Sequence, residues 1–207
     1  MKLKASLYYI LILSIAIMHV IAKADTNKQK KFLDYIGNME SLEADYKQDV
    51  TGRKGTIISS NKGHFMFKSP NLFRMQSPGN SLTINDGNYL WQFEPELEQV
   101  IKTKISGDDH ALTAMSIINN IKSIEENYNI KAEKRVYRGT KYCLTDKTNP
   151  KNKIWFTFND SGPTNIEYYD NLQNLISINL TNVSHNRHIS SKWFNFIPDP
   201  SFDIIEQ

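Results

Sequence analysis

A chain of 207 residues with 40% hydrophobic content can bury one sizeable core and gives no sign of two. Its formal charge of +3 comes from 25 basic and 22 acidic residues, and stacking a nucleic acid on its aromatic residues would need a net basic groove. Cys143 is the single cysteine, which excludes an intramolecular disulfide, so packing alone must hold the fold.

At the amino end, Lys2 and Lys4 precede an apolar run from Leu7 to Ala22, and Ala22-Lys23-Ala24 supplies a small-x-small site. Residues 1–24 are therefore expected to be a secretory signal peptide cleaved after Ala24, with residues 25–207 forming one domain. An uncleaved anchor is the alternative, but the run lies at the short end for a spanning helix. Cleavage removes Lys2, Lys4 and Lys23 and no acid, which brings the formal charge from +3 to zero. The first residue after the cut, Asp25, has no cysteine nearby, so no lipid attachment is expected on the mature chain.

From Asn27 to Met39, Phe32, Tyr35, Ile36 and Met39 recur at helical spacing opposite lysines and Asp34, which predicts an amphipathic helix. Leu42, Ala44, Tyr46 and Gln48 then alternate with charged residues, the pattern of a half-exposed strand. The turn Thr51-Gly52-Arg53-Lys54-Gly55 leads to a second strand, Thr56 to Lys68, expected to break at Asn61-Lys62-Gly63.

Between Gly63 and Thr103 come short strands separated by Ser69-Pro70-Asn71, Ser77-Pro78-Gly79-Asn80 and Asn85-Asp86-Gly87. The last of these, between Leu82–Asn85 and Tyr89–Phe93, predicts a tight hairpin. Glu94-Pro95-Glu96 turns the chain into Val100–Ile105. His110 to Ile121 reads as a helix with Ala111, Met115, Ile118 and Ile121 on one side and Leu112 at its margin. Further strands are expected at Ile130–Tyr137, Lys141–Thr145, Ile154–Phe158, Asn165–Tyr169 and Leu175–Val183. A last strand, Trp193–Ile197, would be ended by Pro198 and Pro200. The total is about ten strands in meander order with two helices.

No set of residues assembles an active site. The chain has no Gly-x-Ser-x-Gly elbow, phosphate loop or dinucleotide fingerprint. His185-Asn-Arg-His188 would face opposite ways on a strand and has no cysteine beside it, so no metal is expected. His64 and His110 stand isolated. Asp108-Asp109 and Glu125-Glu126 are adjacent pairs suited to solvated turns, and Cys143 alternates into a strand as a small core residue. Neither a cofactor nor an enzymatic activity is expected.

What the chain does have is apolar surface in excess. Phe65, Phe67, Phe73, Met75, Leu82, Ile84, Trp91 and Phe93 are expected to wall an apolar cavity, with Leu112, Met115 and Ile118 on a helix that lids it. An ordinary sandwich core would use the same residue types.

This stretch resembles the LolA-type periplasmic carriers of outer-membrane lipoproteins. That family joins a Lys-Arg-Pro-Asn-Leu-Phe element to a Ser-Asp-Gly-Lys-Thr-Leu-Trp hairpin, then to an aromatic-x-Pro turn and Glu-Gln. Here Lys68-Ser-Pro-Asn-Leu-Phe73, Asn85-Asp-Gly-Asn-Tyr-Leu-Trp91, Phe93-Glu-Pro95 and Glu98-Gln99 stand in those places. Phe194-Asn-Phe-Ile-Pro198 is similar to the family's Phe-x-Phe-x-Pro ending. The specific match covers about a quarter of the chain.

The resemblance implies a mainly β (α+β) fold: an incomplete, strongly curved antiparallel β-barrel with helices forming a lid over an apolar cavity. It further implies a monomeric periplasmic chaperone without catalysis, cofactor or nucleic-acid partner. Its cargo would be acylated lipoproteins, taken from an inner-membrane ABC-type releasing complex and passed to an outer-membrane lipoprotein receptor. A lipid or lipoprotein sensor of the same fold, an enzyme acting on lipid and an outer-membrane barrel are the alternatives. The last conflicts with charges on both faces of Ile130–Arg135. One departure stands out: the family's latch arginine falls on Ser69, and Lys68 alternates to the opposite face. Arg74 is the other latch candidate, although Phe73 and Met75 beside it mark the cavity side, and a proline of the family's lid is Thr113. The ligand-free form is therefore expected to open more readily than in the family at large; an opening equilibrium unchanged by Ser69→Arg would count against that.

Overall fold

The computed structural model describes residues 27–105, 121–136 and 139–207. The expected signal peptide and the lid residues Leu112, Met115 and Ile118, with His110, Asp108, Asp109 and Thr113, lie outside the described residues.

Helix α1 spans residues 27–37. Strands β1 (Ser41–Thr51), β2 (Ile57–Lys68), β3 (Leu72–Gln76), β4 (Leu82–Asn85), β5 (Tyr89–Glu94) and β6 (Gln99–Lys104) follow. Helix α2 (Ile121–Asn127) then precedes β7 (Tyr128–Val136), β8 (Gly139–Asp146), β9 (Lys153–Asn159), β10 (Gly162–Tyr169), β11 (Leu175–His185) and β12 (Asp203–Glu206). These twelve strands make one sheet in the order β12-β6-β5-β4-β3-β2-β1-β11-β10-β9-β8-β7. Two meanders, β1 to β6 and β7 to β11, are joined by the β1–β11 pair. Every pairing is antiparallel except that of β12 with β6. The sheet curves without closing: β12 and β7 are its two edges among the described residues.

The curvature has local causes. At Gly63 a Cβ would sit 1.9 Å from the Gln76 carbonyl oxygen and 2.9 Å from the Tyr46 ring. Only glycine lets the end of β3 approach β2 this closely. Register shifts between Glu43 and Asp45, Pro163 and Asn165, and Ala132 and Arg135 insert further irregularities that bend their strands.

Inside the curve, α1 presents Phe32 and Ile36 to the sheet, and Met39 just beyond its end does the same, all three buried. The Phe32 ring lies 4.9 Å from Tyr142, 5.9 Å from Phe156 and 5.5 Å from Phe158. The junction between α1 and β1 is pinned by Asn186, whose Oδ1 accepts from the Glu40 N–H and whose Nδ2 donates to the Asn38 carbonyl. Asn186 adopts a φ of 54°, a conformation asparagine tolerates better than most residues.

Four expectations about elements need correction. β2 runs unbroken through Asn61-Lys62-Gly63, because Lys62 and Gly63 stay paired with Lys47 and Tyr46. Trp193–Ile197 is not a strand: Ser191–Phe194 forms a 3-10 turn, capped by the Ser190 hydroxyl, and the last strand follows the prolines at Asp203–Glu206. Glu125-Glu126 belongs to α2 rather than to a turn. His64 is not isolated, since its ring nitrogens lie 3.0 Å from both Glu43 and Asp45.

Candidate functional site: two apolar faces of one sheet

Directly opposed residues of an antiparallel pair point to the same face, so the register assigns every side chain. Starting from Phe65, which opposes Ala44 and Met75, and Phe67, which opposes Leu42 and Phe73, the inner face runs in both directions. Towards β5 it continues through Thr83, Asn85 and Leu90. Towards β7 it passes Tyr46, Leu180, Ile178, Ile166, Phe156, Tyr142 and Ala132. Leu144 and Ile154 lie beside the last of these, and the apolar members join α1 and Ile124 of α2 in one cluster. Phe65, Phe67 and Phe73 are 1–3% exposed, so the centre of this face is shut off from water, while Met75, Thr83 and Leu90 towards β5 are half-buried. Burial pushes up the phenols of Tyr128, Tyr142 and Tyr168, the response of a weak acid whose charged form would lose hydration.

The same register divides the eight expected wall residues. Phe65, Phe67, Phe73 and Met75 face inward. Leu82, Ile84, Trp91 and Phe93 face outward: Ile84 opposes Arg74 and Trp91, and Leu82 opposes Gln76 and Phe93. The single wall becomes two faces because the Ser77–Ser81 connection pairs Phe73 with Asn85 and so puts the odd-numbered residues of β3 and β4 together. Leu90, not among the eight, is the β5 residue packed against the inner cluster.

Of the outer four, Trp91 and Phe93 are covered by the chain's own tail. Phe196 stacks 5.6 Å from Trp91 and 5.7 Å from Phe93, and Phe202 lies 5.0 Å from Phe93. Ile84, Val100 and Phe194 are each no more than 1% exposed beneath or within this covering. Polar groups tether it: the Lys68 ammonium donates to the Ile189 carbonyl and the Ser191 hydroxyl, at 3.0 and 2.8 Å. The Arg74 guanidinium sits 5.9 Å from the Trp193 ring centre and donates to the Trp193 carbonyl. Desolvation draws the Arg74 pKa down. Arg74 thus serves the tail on the outer face, while Ser69 is exposed in the turn after β2, its N–H bonded to the Glu40 carbonyl.

The β4–β5 hairpin is held by Asp86. Burial alone would raise its carboxyl, but the Trp91 indole N–H at 2.7 Å and the amides of Tyr89 and Asn88 outweigh that and hold it below the ordinary value. Cys143 is buried on the outer side, opposite Trp155, and burial pushes its thiol up. His185 lies against the Tyr35 ring at 5.7 Å. Among the described residues no cluster of three or more His, Cys, Asp or Glu is placed to hold a metal ion.

The family model described as outer membrane lipoprotein carrier protein LolA matches residues 37–197. The chain belongs to the LolA family. Curated relatives include an outer-membrane lipoprotein carrier protein of Yersinia enterocolitica, 31% identical over 63% of this chain and 61% of that one. Another, from Proteus mirabilis, is 31% identical over 55% of each chain. The chain thus matches under two thirds of the length of these relatives. Among solved structures, an uncharacterized conserved protein of Thermus thermophilus is similar over 87% of this chain and 99% of that one, with a TM-score of 0.54 at 9% identity. That likeness concerns the fold alone. The open, curved antiparallel sheet is the architecture that the LolA-type resemblance implied.

Proposed function

We propose that the chain is a periplasmic lipoprotein carrier that holds acyl chains against the inner face, with no catalytic step. The observation that carries this reading is the inner face itself: apolar side chains from Leu90 through Phe73, Phe65 and Ala44 to Ile178, Phe156 and Ala132, lining an unclosed sheet. An open, curved sheet with free edges can part from what packs inside it, which a closed sandwich core cannot. The membership in a family described as lipoprotein carriers supports the same cargo.

Energetics constrain how such a carrier works. Burying one acyl chain of about 16 carbons at ~0.8 kcal/mol per methylene releases about 13 kcal/mol. Two or three chains would exceed the practical ceiling of about 20 kcal/mol for non-covalent binding. Release therefore requires that loading displace contacts already made. Phe65, Phe67 and Phe73 are packed within the protein's own cluster, and separating each from it costs roughly 1.5–3 kcal/mol. Lipid entry exchanges one apolar contact for another, and net affinity falls into a range that permits hand-over.

The cargo comes from an inner-membrane ABC-type releasing complex and passes to an outer-membrane lipoprotein receptor. With Ser69 in the family's arginine position and Arg74 committed to the tail, the closed form lacks the family's latch and opens more readily. The direct test incubates the exported, processed chain with spheroplasts bearing a labelled lipoprotein. A soluble complex of the two supports the carrier; lipoprotein that stays on the membrane at saturating chain overturns it. A chain that binds lipoprotein in detergent yet never releases it from spheroplasts would be the lipid sensor instead.

A further inference from the structure

We propose that the turns at the end of the sheet opposite α1 form a contact surface for anionic phospholipid membranes. This surface is distinct from the inner face, and its test needs no cargo.

The end capped by α1 carries Phe158 and His185, the last residues but one and last of β9 and β11. At the other end lie the β1–β2 tip and the β10–β11 turn, side by side because Thr51 opposes both Ile57 and Leu175. The Arg53 Nε donates to the Leu172 carbonyl at 3.1 Å, and a Cβ on Gly52 would lie 3.4 Å from Ile58 and 4.0 Å from Asn174. The two turns are thus one patch. On it stand large apolar side chains facing water: Ile57 at 61%, Ile58 at 60%, Leu172 at 70% and Tyr169 at 50% exposure.

Apolar exposure of this extent, gathered at one place, marks an interaction surface. Its shape and charge select the occupant. Pairing of β2 with β3 ends at His64 and Gln76, so on the β3 side the hairpin from Ile57 to Gly63 projects past its neighbour, while β11 flanks it on the other side. A projecting tip offers no recess for a partner's side chain, whereas it can enter a deformable interface to its own depth. Arg53 and Lys54 flank the isoleucines, and Lys151 and Lys153 lie exposed at the neighbouring β8–β9 turn. The acid within the patch, Asp170, is occupied by the amides of Leu172 and Asn174 and by the Asn174 side chain. An apolar tip flanked by Arg53 and Lys54 is complementary to a membrane of anionic lipid.

The test is sedimentation of the exported, processed chain with protein-free vesicles of phosphatidylethanolamine and phosphatidylglycerol, against vesicles of phosphatidylcholine. Binding to the anionic vesicles is expected, falling about tenfold or more in Arg53→Gln/Lys54→Gln. A comparable fall is expected in Ile57→Ser/Ile58→Ser, while Ile204→Ser, exposed elsewhere, changes nothing. Thermal melts confirm that each variant is folded. Absence of binding to anionic vesicles, equal binding to neutral ones, or variants that bind as the parent does would each overturn the proposal. So would variants that lose association only with vesicles carrying membrane proteins, since the tip would then be a protein-docking site.

Discussion

The two faces of strands β3 to β6 are both apolar, yet they differ in what covers them and how permanently. The outer face is roofed by residues of the same chain, tied down by Lys68 and Arg74 and interleaved with Phe196 and Phe202. The inner face packs against α1, Ile124 of α2 and the far half of the same open sheet. Equal hydrophobicity is therefore compatible with unequal roles: the outer face is a small second core, and the inner face is the one we propose exchanges its contacts for lipid.

Substitutions on the two sides should separate these roles. The largest effect is expected for Phe156→Ala, which empties the ring position under Phe32 at 1% exposure and costs about 3–5 kcal/mol, read as a lower denaturant midpoint. Unchanged stability there would mean that α1 does not dock as described. Next, Phe93→Ala removes the ring between Phe196 and Phe202 at a cost of about 2 kcal/mol. It should make the tail after Lys192 sensitive to protease while leaving binding of a fluorescent acyl probe intact; a lost probe signal would merge the two faces into one. Lys68→Met removes two tethers of the tail and should cost about 1 kcal/mol, with the same proteolytic signature in weaker form.

The smallest effect concerns pH and the β4–β5 hairpin. Asp86 has a carboxyl held below the ordinary value of 3.8, so its contribution to stability is complete above that pH and disappears as the pH falls through the lowered pKa. The Trp91 indole N–H resonance should move in that acidic window and stay fixed in Asp86→Asn. Movement at neutral pH would assign the titration to another group.

Much of this was legible in the strand pattern. Alternation in Leu42, Ala44, Tyr46 and Gln48 announced a two-faced strand, and the Asp86-Gly87 turn placed β4 against β5 with Leu82, Ile84, Trp91 and Phe93 on a common side. What alternation cannot supply is the parity between strands joined by a longer turn. Gly79, at a φ of 85°, lies in the Ser77–Ser81 connection, and that connection decides that Ile84 opposes Arg74 rather than Phe73. The tail departs from its strand-like pattern for a related reason. Trp193, Phe194 and Phe196 have strand-like composition, but Phe194 is buried and Phe196 half-buried only because they lie across a sheet already formed, while Trp193 stays exposed, which is a tertiary fact. The contribution of Tyr142, Phe156 and Ile178 to the inner face also required the β1–β11 pairing, a contact between residues more than a hundred positions apart.

The central claim is that acyl chains occupy the inner face and not the outer one. A photoreactive phenylalanine analogue placed at Met75 or Leu90 on the inner side, and at Ile84 or Phe93 on the outer, would test it on a complex with a lipoprotein carrying radiolabelled acyl chains. The account requires labelled adducts from Met75 and Leu90 and none from Ile84 and Phe93. Adducts from the outer positions, or a soluble complex that labels neither inner position, would contradict it.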